Sequence, residues 1–170
     1  MARALIVGCG CRGRELGERL LVEGWAVRGT SRRDEGLGAI EAAGIEPAFA
    51  DPERPGSILD LVSDVAILVL LLGSASGSAE ELAAIHGPRL ERLMEHLVET
   101  PVRGVLYEGS EEGAEVVEAA ARTWRIPVRT ISPSPSHGPH IGLGDRLAEE
   151  VKALLAGEPK ELNSDKDLGN

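Results

Sequence analysis

Residues 1–33 constrain this chain more than any other stretch. An apolar run, Ala4–Val7, enters the turn Gly8-Cys9-Gly10-Cys11-Arg12-Gly13, spaced GxGxxG. A helical period follows at Leu16, Leu20 and Leu21, and Trp25-Ala26-Val27 opens a second extended run. Strand, glycine turn, helix and strand in that order specify a parallel βαβ unit, because parallel strands need a crossover between them. The three glycines have separate tasks. Gly8 permits the tight turn, Gly10 lets a ligand approach the backbone, and Gly13 lets the helix pack on the strand. Free N–H groups and the dipole at the start of that helix suit a phosphate, the dipole alone contributing about 0.3–1 kcal/mol. The alternative is a strand-to-helix turn kept for packing.

The rest of the chain repeats the alternation. Ile45–Ala50 reads as a short third strand, placed toward an edge by Pro47. Val65–Leu72 is a fourth strand, apolar on both faces, as in a buried parallel sheet. Val102–Tyr107 and Val128–Ile131 are the fifth and sixth. Helices are expected over 35–43 with Asp34 as cap, 57–62, 80–99 with a bend at Gly87-Pro88, 111–124 and 145–155. The fold class is therefore α/β: a doubly wound parallel sheet of the Rossmann type, with about six strands and helices on both faces. One domain is expected over 1–156, followed by a polar C-terminal tail, 157–170, with no hydrophobic period.

Composition narrows the function. The chain has 170 residues, 42% hydrophobic but only 2% aromatic, so its core must be aliphatic. A net charge of −10 argues against nonspecific nucleic-acid or anionic-membrane binding. The apolar run Val65–Leu72 is far short of the roughly 20 residues that span a bilayer. Met1-Ala2-Arg3 passes straight into the first strand without a signal-peptide pattern, and a reducing cytoplasm is the expected setting. Cys9 and Cys11 stand too close for an ordinary bridge and lack a His or Cys cluster. No metal site is expected. Both read as small fillers of the glycine turn, with redox sensitivity as a minor alternative.

The segment after the second strand chooses between cofactors. A dinucleotide site for NAD generally places a carboxylate about 20 residues past the first glycine, to accept from the ribose 2′-hydroxyl. Here that region reads Arg28-Gly29-Thr30-Ser31-Arg32-Arg33, with no carboxylate before Asp34. Arginine pairs bidentately with phosphate, and Thr30 and Ser31 can add hydroxyl donors. NADP(H) is the preferred cofactor and NAD(H) the second choice. The other reading of Arg32 and Arg33 is a pair of solvated charges opening a loop.

These features together resemble the extended or atypical short-chain dehydrogenase/reductase family, in its NAD(P)-dependent epimerase and NmrA-like branches, over about residues 4–159. The likeness rests on the glycine turn with Arg28–Arg33, on Asp51 after the third strand, on the loop Gly73-Ser74-Ala75-Ser76-Gly77, and on residues 126–139. It implies a cofactor site made of Gly8, Gly10, Cys11, Arg12 and Gly13, with Thr30, Ser31, Arg32 and Arg33 at the 2′-position. Asp51 would accept from the adenine amino group, and Gly73 and Ser74 would pass beneath the inner ribose. The family's catalytic Tyr and its Lys four residues later have no counterpart. Tyr107 is the only tyrosine, Glu111 stands four residues on, and no lysine precedes Lys152. The loop that would carry the tyrosine is shortened to Glu108-Gly109-Ser110-Glu111-Glu112-Gly113. Ser110, near the family's serine, and His137 are the remaining catalytic candidates, with His140 beside the latter.

Two functions follow from the resemblance. One is an NADP(H)-dependent oxidoreductase or epimerase acting on an unspecified small molecule. The other is a non-catalytic dinucleotide sensor or partner-binding module. A homodimer through the helices at 80–99 and 111–124 is also expected. There Val116, Val117, Ala120 and Ala121 either offer a pairing surface or cover the sheet.

Overall fold

Short aliphatic runs separated by amphipathic helices fold here into one parallel sheet. The computed structural model describes residues 1–133 and 142–157. The strands are β1 (Arg3–Val7), β2 (Ala26–Ser31), β3 (Glu46–Phe49), β4 (Ile67–Leu71), β5 (Gly104–Glu108) and β6 (Val128–Ile131), in the order β3-β2-β1-β4-β5-β6. Every pairing is parallel, so the expected doubly wound sheet is the one observed. Pro47 lies in β3, at an edge, where its missing N–H costs no central ladder bond.

The helices are α1 (Cys11–Val22), α2 (Asp34–Ala42), α3 (Pro55–Leu59), α4 (Ala79–His86), α5 (Pro88–Leu97), α6 (Glu111–Trp124) and α7 (Leu143–Ala156). They divide between the faces as strand alternation demands. Leu5, Val7, Leu68, Leu70 and Val105 meet Ile85, Leu90, Leu93 and Met94 on one side. Ala4, Ile6, Ile67, Val69 and Leu106 meet Leu16, Leu20, Leu147 and Val151 on the other. Each of these larger side chains contributes about 1.5–3 kcal/mol of burial. β4 is buried at every residue, which accounts for its unbroken apolar run.

Local details differ from the sequence reading. Asp34 does not cap α2. Arg33 holds the cap position without a side-chain bond, and Asp34 and Glu35 sit in the first turn, where the helix dipole favours acids. The bend at Gly87-Pro88 is a break: Gly87, at φ −122° and ψ −105°, separates α4 from α5, and Pro88 starts the new helix. Val117 and Ala120 are buried under the sheet, with Val116 partly so, and therefore cover β5 and its neighbours. No described helix is long and apolar enough to cross a membrane.

Candidate functional site

After β1 the chain winds outward to β2 and β3, and after β4 it winds the other way to β5 and β6. The two halves part at the carboxyl ends of β1 and β4, where sheets of this kind leave a crevice. A cavity of about 320 Å³ opens there. Gly8, Gly10, Thr30, Ser31, Arg32, Arg33 and Ser74 all line it. A larger groove, about 630 Å³, runs along α5 and α6 and is walled by Glu91, Glu95, Glu112, Glu115 and Trp124. The glycine turn and the basic residues converge only on the first.

The glycines behave as their spacing requires. Gly8 has φ +76°, and a Cβ there would run into the Leu71 carbonyl oxygen. Gly13 approaches Ile6 so closely that a Cβ would lie 3.1 Å from its Cγ2, which brings α1 down onto β1. Gly10 is different: a Cβ there would meet nothing within 4 Å, so its face is open. Gly10 also precedes α1, which has no side-chain cap and no acid in its first turn. By contrast, Ser78 and Ser110 close the first turns of α4 and α6. The first N–H groups of α1 are thus left for a ligand or water.

Around this turn the structure gathers positive charge. Arg32 extends across the cavity mouth, its Nη2 3.5 Å from the Ser76 carbonyl and its Nη1 3.8 Å from Asp51 Oδ1. Arg33 is exposed, and its backbone N–H donates to Ser31 Oγ at 3.1 Å. Thr30 is buried at the end of β2. Arg14, which the sequence reading passed over, also lines the cavity and donates to Cys11 Sγ at 3.4 Å. Its signal was available: it stands one residue past the last glycine of the motif, at the first turn of α1.

Other expected site residues lie elsewhere. Arg12 does not line the cavity; it turns toward β5 and pairs with Glu108, Nη1 to Oε2 at 2.5 Å. Asp51 sits beside the mouth, where its Oδ1 accepts from the Glu53 N–H at 3.0 Å. Gly73 faces Glu108 and Pro133 rather than the cavity. Cys9 is the buried filler expected, its thiol pushed up to about 12 by desolvation against the pull of Arg14. Cys11 is exposed, so it fills nothing.

The catalytic candidates fare differently. Glu108 belongs to β5 and is buried, so the expected loop from Glu108 to Gly113 is a strand end followed within two residues by α6. The Ser110 hydroxyl caps α6, accepting from the Gly113 N–H at 3.0 Å. Tyr107 is fully buried, with its hydroxyl 2.7 Å from His86 Nδ1. His137, His140 and the tail beyond Gly157 lie outside the described residues.

Burial holds the His86 imidazole below its ordinary pKa, with Glu112 opposing. The unfolded chain then binds this proton first. Stability is expected to fall as pH drops below about 6.5, the ordinary histidine value. Thermal unfolding against pH, with His86→Gln flattening that limb, checks this.

Neither a protein-family model nor a curated protein matches the chain. Solved structures do. The Citrobacter sp. triphenylmethane reductase complexed with NADP(H) superposes with a TM-score of 0.58 and 21% identity over 76% of this chain, which spans only 48% of that protein. The UDP-glucuronic acid 4-epimerase of Bacillus cereus, in complex with a fluorinated sugar nucleotide and NAD, gives 0.62 and 14% over 92% of this chain and 64% of the epimerase. BdcA from E. coli gives 0.65 and 19%, covering 91% of this chain and 90% of that one. At such identities the likeness is one of fold: this chain has the Rossmann-type α/β architecture common to these reductase, epimerase and BdcA structures.

Proposed function

We propose that this protein binds NADP(H) at the carboxyl end of its sheet and serves as an oxidoreductase-like member of the atypical short-chain dehydrogenases and epimerases. The observation that carries this is one junction: the open face of Gly10, the uncapped start of α1, and Arg14, Arg32 and Arg33 around a single cavity. That concentration of positive charge on a chain of net charge −10 suits the several phosphates of a dinucleotide. The residues present therefore fit the cofactor. Arg32 and Arg33 would take the 2′-phosphate, the backbone N–H groups after Gly10 the pyrophosphate, and Asp51 the adenine. When bound, the nicotinamide supplies or accepts a hydride, and the chain's part is to bind and orient it. The NADP(H) complex of the triphenylmethane reductase and the NAD complex of the epimerase support the choice of ligand class.

Titration calorimetry with NADPH and NADH side by side tests the reading. The expected result is micromolar NADPH binding, about −8 kcal/mol, and NADH weaker by about tenfold or more. Absence of heat with either cofactor overturns it.

The non-catalytic sensor remains the second reading, favoured by two observations. The Ser110 hydroxyl is committed to a helix cap, and the Tyr107 ring is buried against His86. Neither lines the cavity. Tight NADPH binding without turnover on a panel of aldehydes and quinones supports the sensor; NADPH oxidation supports the enzyme.

A further inference from the structure

Glu108 is the acidic side chain most deeply buried in the described sheet, 1% exposed at the carboxyl end of β5. One oxygen, Oε2, accepts from Arg12 Nη1 at 2.5 Å. The other, Oε1, is buried and has no hydrogen-bond partner among the described residues. Desolvation pushes the carboxyl above its ordinary range while Arg12 pulls it down. A buried acceptor left short of a donor is costly, and structures rarely keep one without a use.

Arg12 is also incomplete. A guanidinium carries five N–H donors. Among the described residues Arg12 makes one side-chain bond, to Glu108, and its side chain stays 18% exposed. Its position is telling. Arg12 follows the open Gly10 by two residues yet turns away from the cavity that holds Arg14, Arg32 and Arg33. It turns toward β5 instead. Gly73 after β4 and Pro133 after β6 lie against the same place, since a Cβ on Gly73 would sit 2.9 Å from Glu108 Oε1 and 3.1 Å from the proline ring. A dinucleotide bound across the strand-order reversal puts its two halves over the two halves of the sheet. The arginine cavity takes the adenosine half, which leaves β4, β5 and β6 for the nicotinamide half.

We propose that the Arg12–Glu108 pair is the nicotinamide-side anchor of the bound dinucleotide. Arg12 gives its free guanidinium N–H groups to the second phosphate. Glu108 positions Arg12 and accepts, at Oε1, from a hydroxyl or amide donor of the nicotinamide riboside. The anchor rests on the NADP(H) reading above. Because Oε1 is screened from solvent, the pair must turn toward the crevice as the cofactor enters, a motion that phosphate binding to Arg12 can drive.

The test uses two ligands. NADPH carries the whole dinucleotide, whereas 2′,5′-ADP keeps the 2′-phosphate and one 5′-phosphate but lacks the second phosphate and the nicotinamide riboside. In Glu108→Gln, Arg12 still demands an oxygen, so the new amide N–H₂ faces the place where the donor should arrive. Both Glu108→Gln and Arg12→Met are expected to weaken NADPH by about ten- to hundredfold, the size of a lost charge-assisted bond. Binding of 2′,5′-ADP should stay within about twofold, and the double variant should lose less than the product of the two single losses, because the pair acts as a unit. The nicotinamide fluorescence of bound NADPH should also shift in Glu108→Gln. Equal weakening of both ligands, or NADPH binding left unchanged, overturns the anchor. Arg12→Lys, which keeps a charge but loses the planar geometry, gives the same decision if Glu108→Gln does not fold. Wild-type protein that binds neither ligand overturns the cofactor reading itself, a result distinct from failure of the anchor alone.

Discussion

Gly10→Val is expected to abolish NADPH binding and leave the melting temperature unchanged. The backbone at Gly10, φ −80° and ψ −153°, has the negative φ of an L-residue, and a Cβ there meets nothing within 4 Å. The fold therefore has no reason to resist the substitution. The added branched side chain would instead occupy the space through which a pyrophosphate must reach the N–H groups of α1. Gly8→Ala makes the contrast. Its φ of +76° and the Leu71 carbonyl oxygen in the path of the new Cβ put the strain in the native state itself. Left-handed backbone alone costs about 1–2 kcal/mol, before any clash. Calorimetry and thermal unfolding on the two variants separate the effects. A folded Gly10→Val protein that binds NADPH normally would remove the glycine turn from the site.

Arg32→Ala is expected to weaken NADPH by about 1.5–3 kcal/mol, the range for a hydrogen bond to a charged group, while NADH changes little. Arg32 spans the cavity mouth between Ser76 and Asp51 and carries no short ion pair, so its guanidinium can turn to a 2′-phosphate without breaking one. Its removal also leaves Asp51 uncompensated beside the position where the phosphate would sit, adding repulsion to lost attraction. Because the Arg32 side chain is 38% exposed, the preference for NADPH should shrink as salt is raised. Titrations of both cofactors at two salt concentrations read these effects. Equal losses for NADPH and NADH would refute the 2′-phosphate assignment.

The elements of the fold and the glycine turn were legible in the residues because they are local matters. A GxGxxG between an apolar run and a leucine period needs no distant partner to set its backbone, and Gly8, Gly10 and Gly13 each meet the surroundings their spacing implied. The unbroken apolar run at β4 likewise announced a strand covered on both faces. Side-chain direction was another matter. Arg12 and Arg14 stand two residues apart on α1, about 200° around the helix. The motif named Arg12 as cofactor-binding and passed over Arg14, yet it is Arg14 that joins the arginine cavity.

Glu108 shows the same division. Followed by Gly109 and Ser110, it read as the opening of a loop, because a lone carboxylate at the end of an apolar strand has no local means of being buried. Only the tertiary structure brings Arg12 to it, across 96 residues of chain. The order of strands and helices, the turn between β1 and α1, and the aliphatic core are written in the residues, since they follow from backbone sterics and periodicity. The packing of α1 on β1 and β2 decided which charges meet, Arg14 at the cavity and Arg12 against Glu108, because charges far apart in the chain become neighbours only once the sheet is wound.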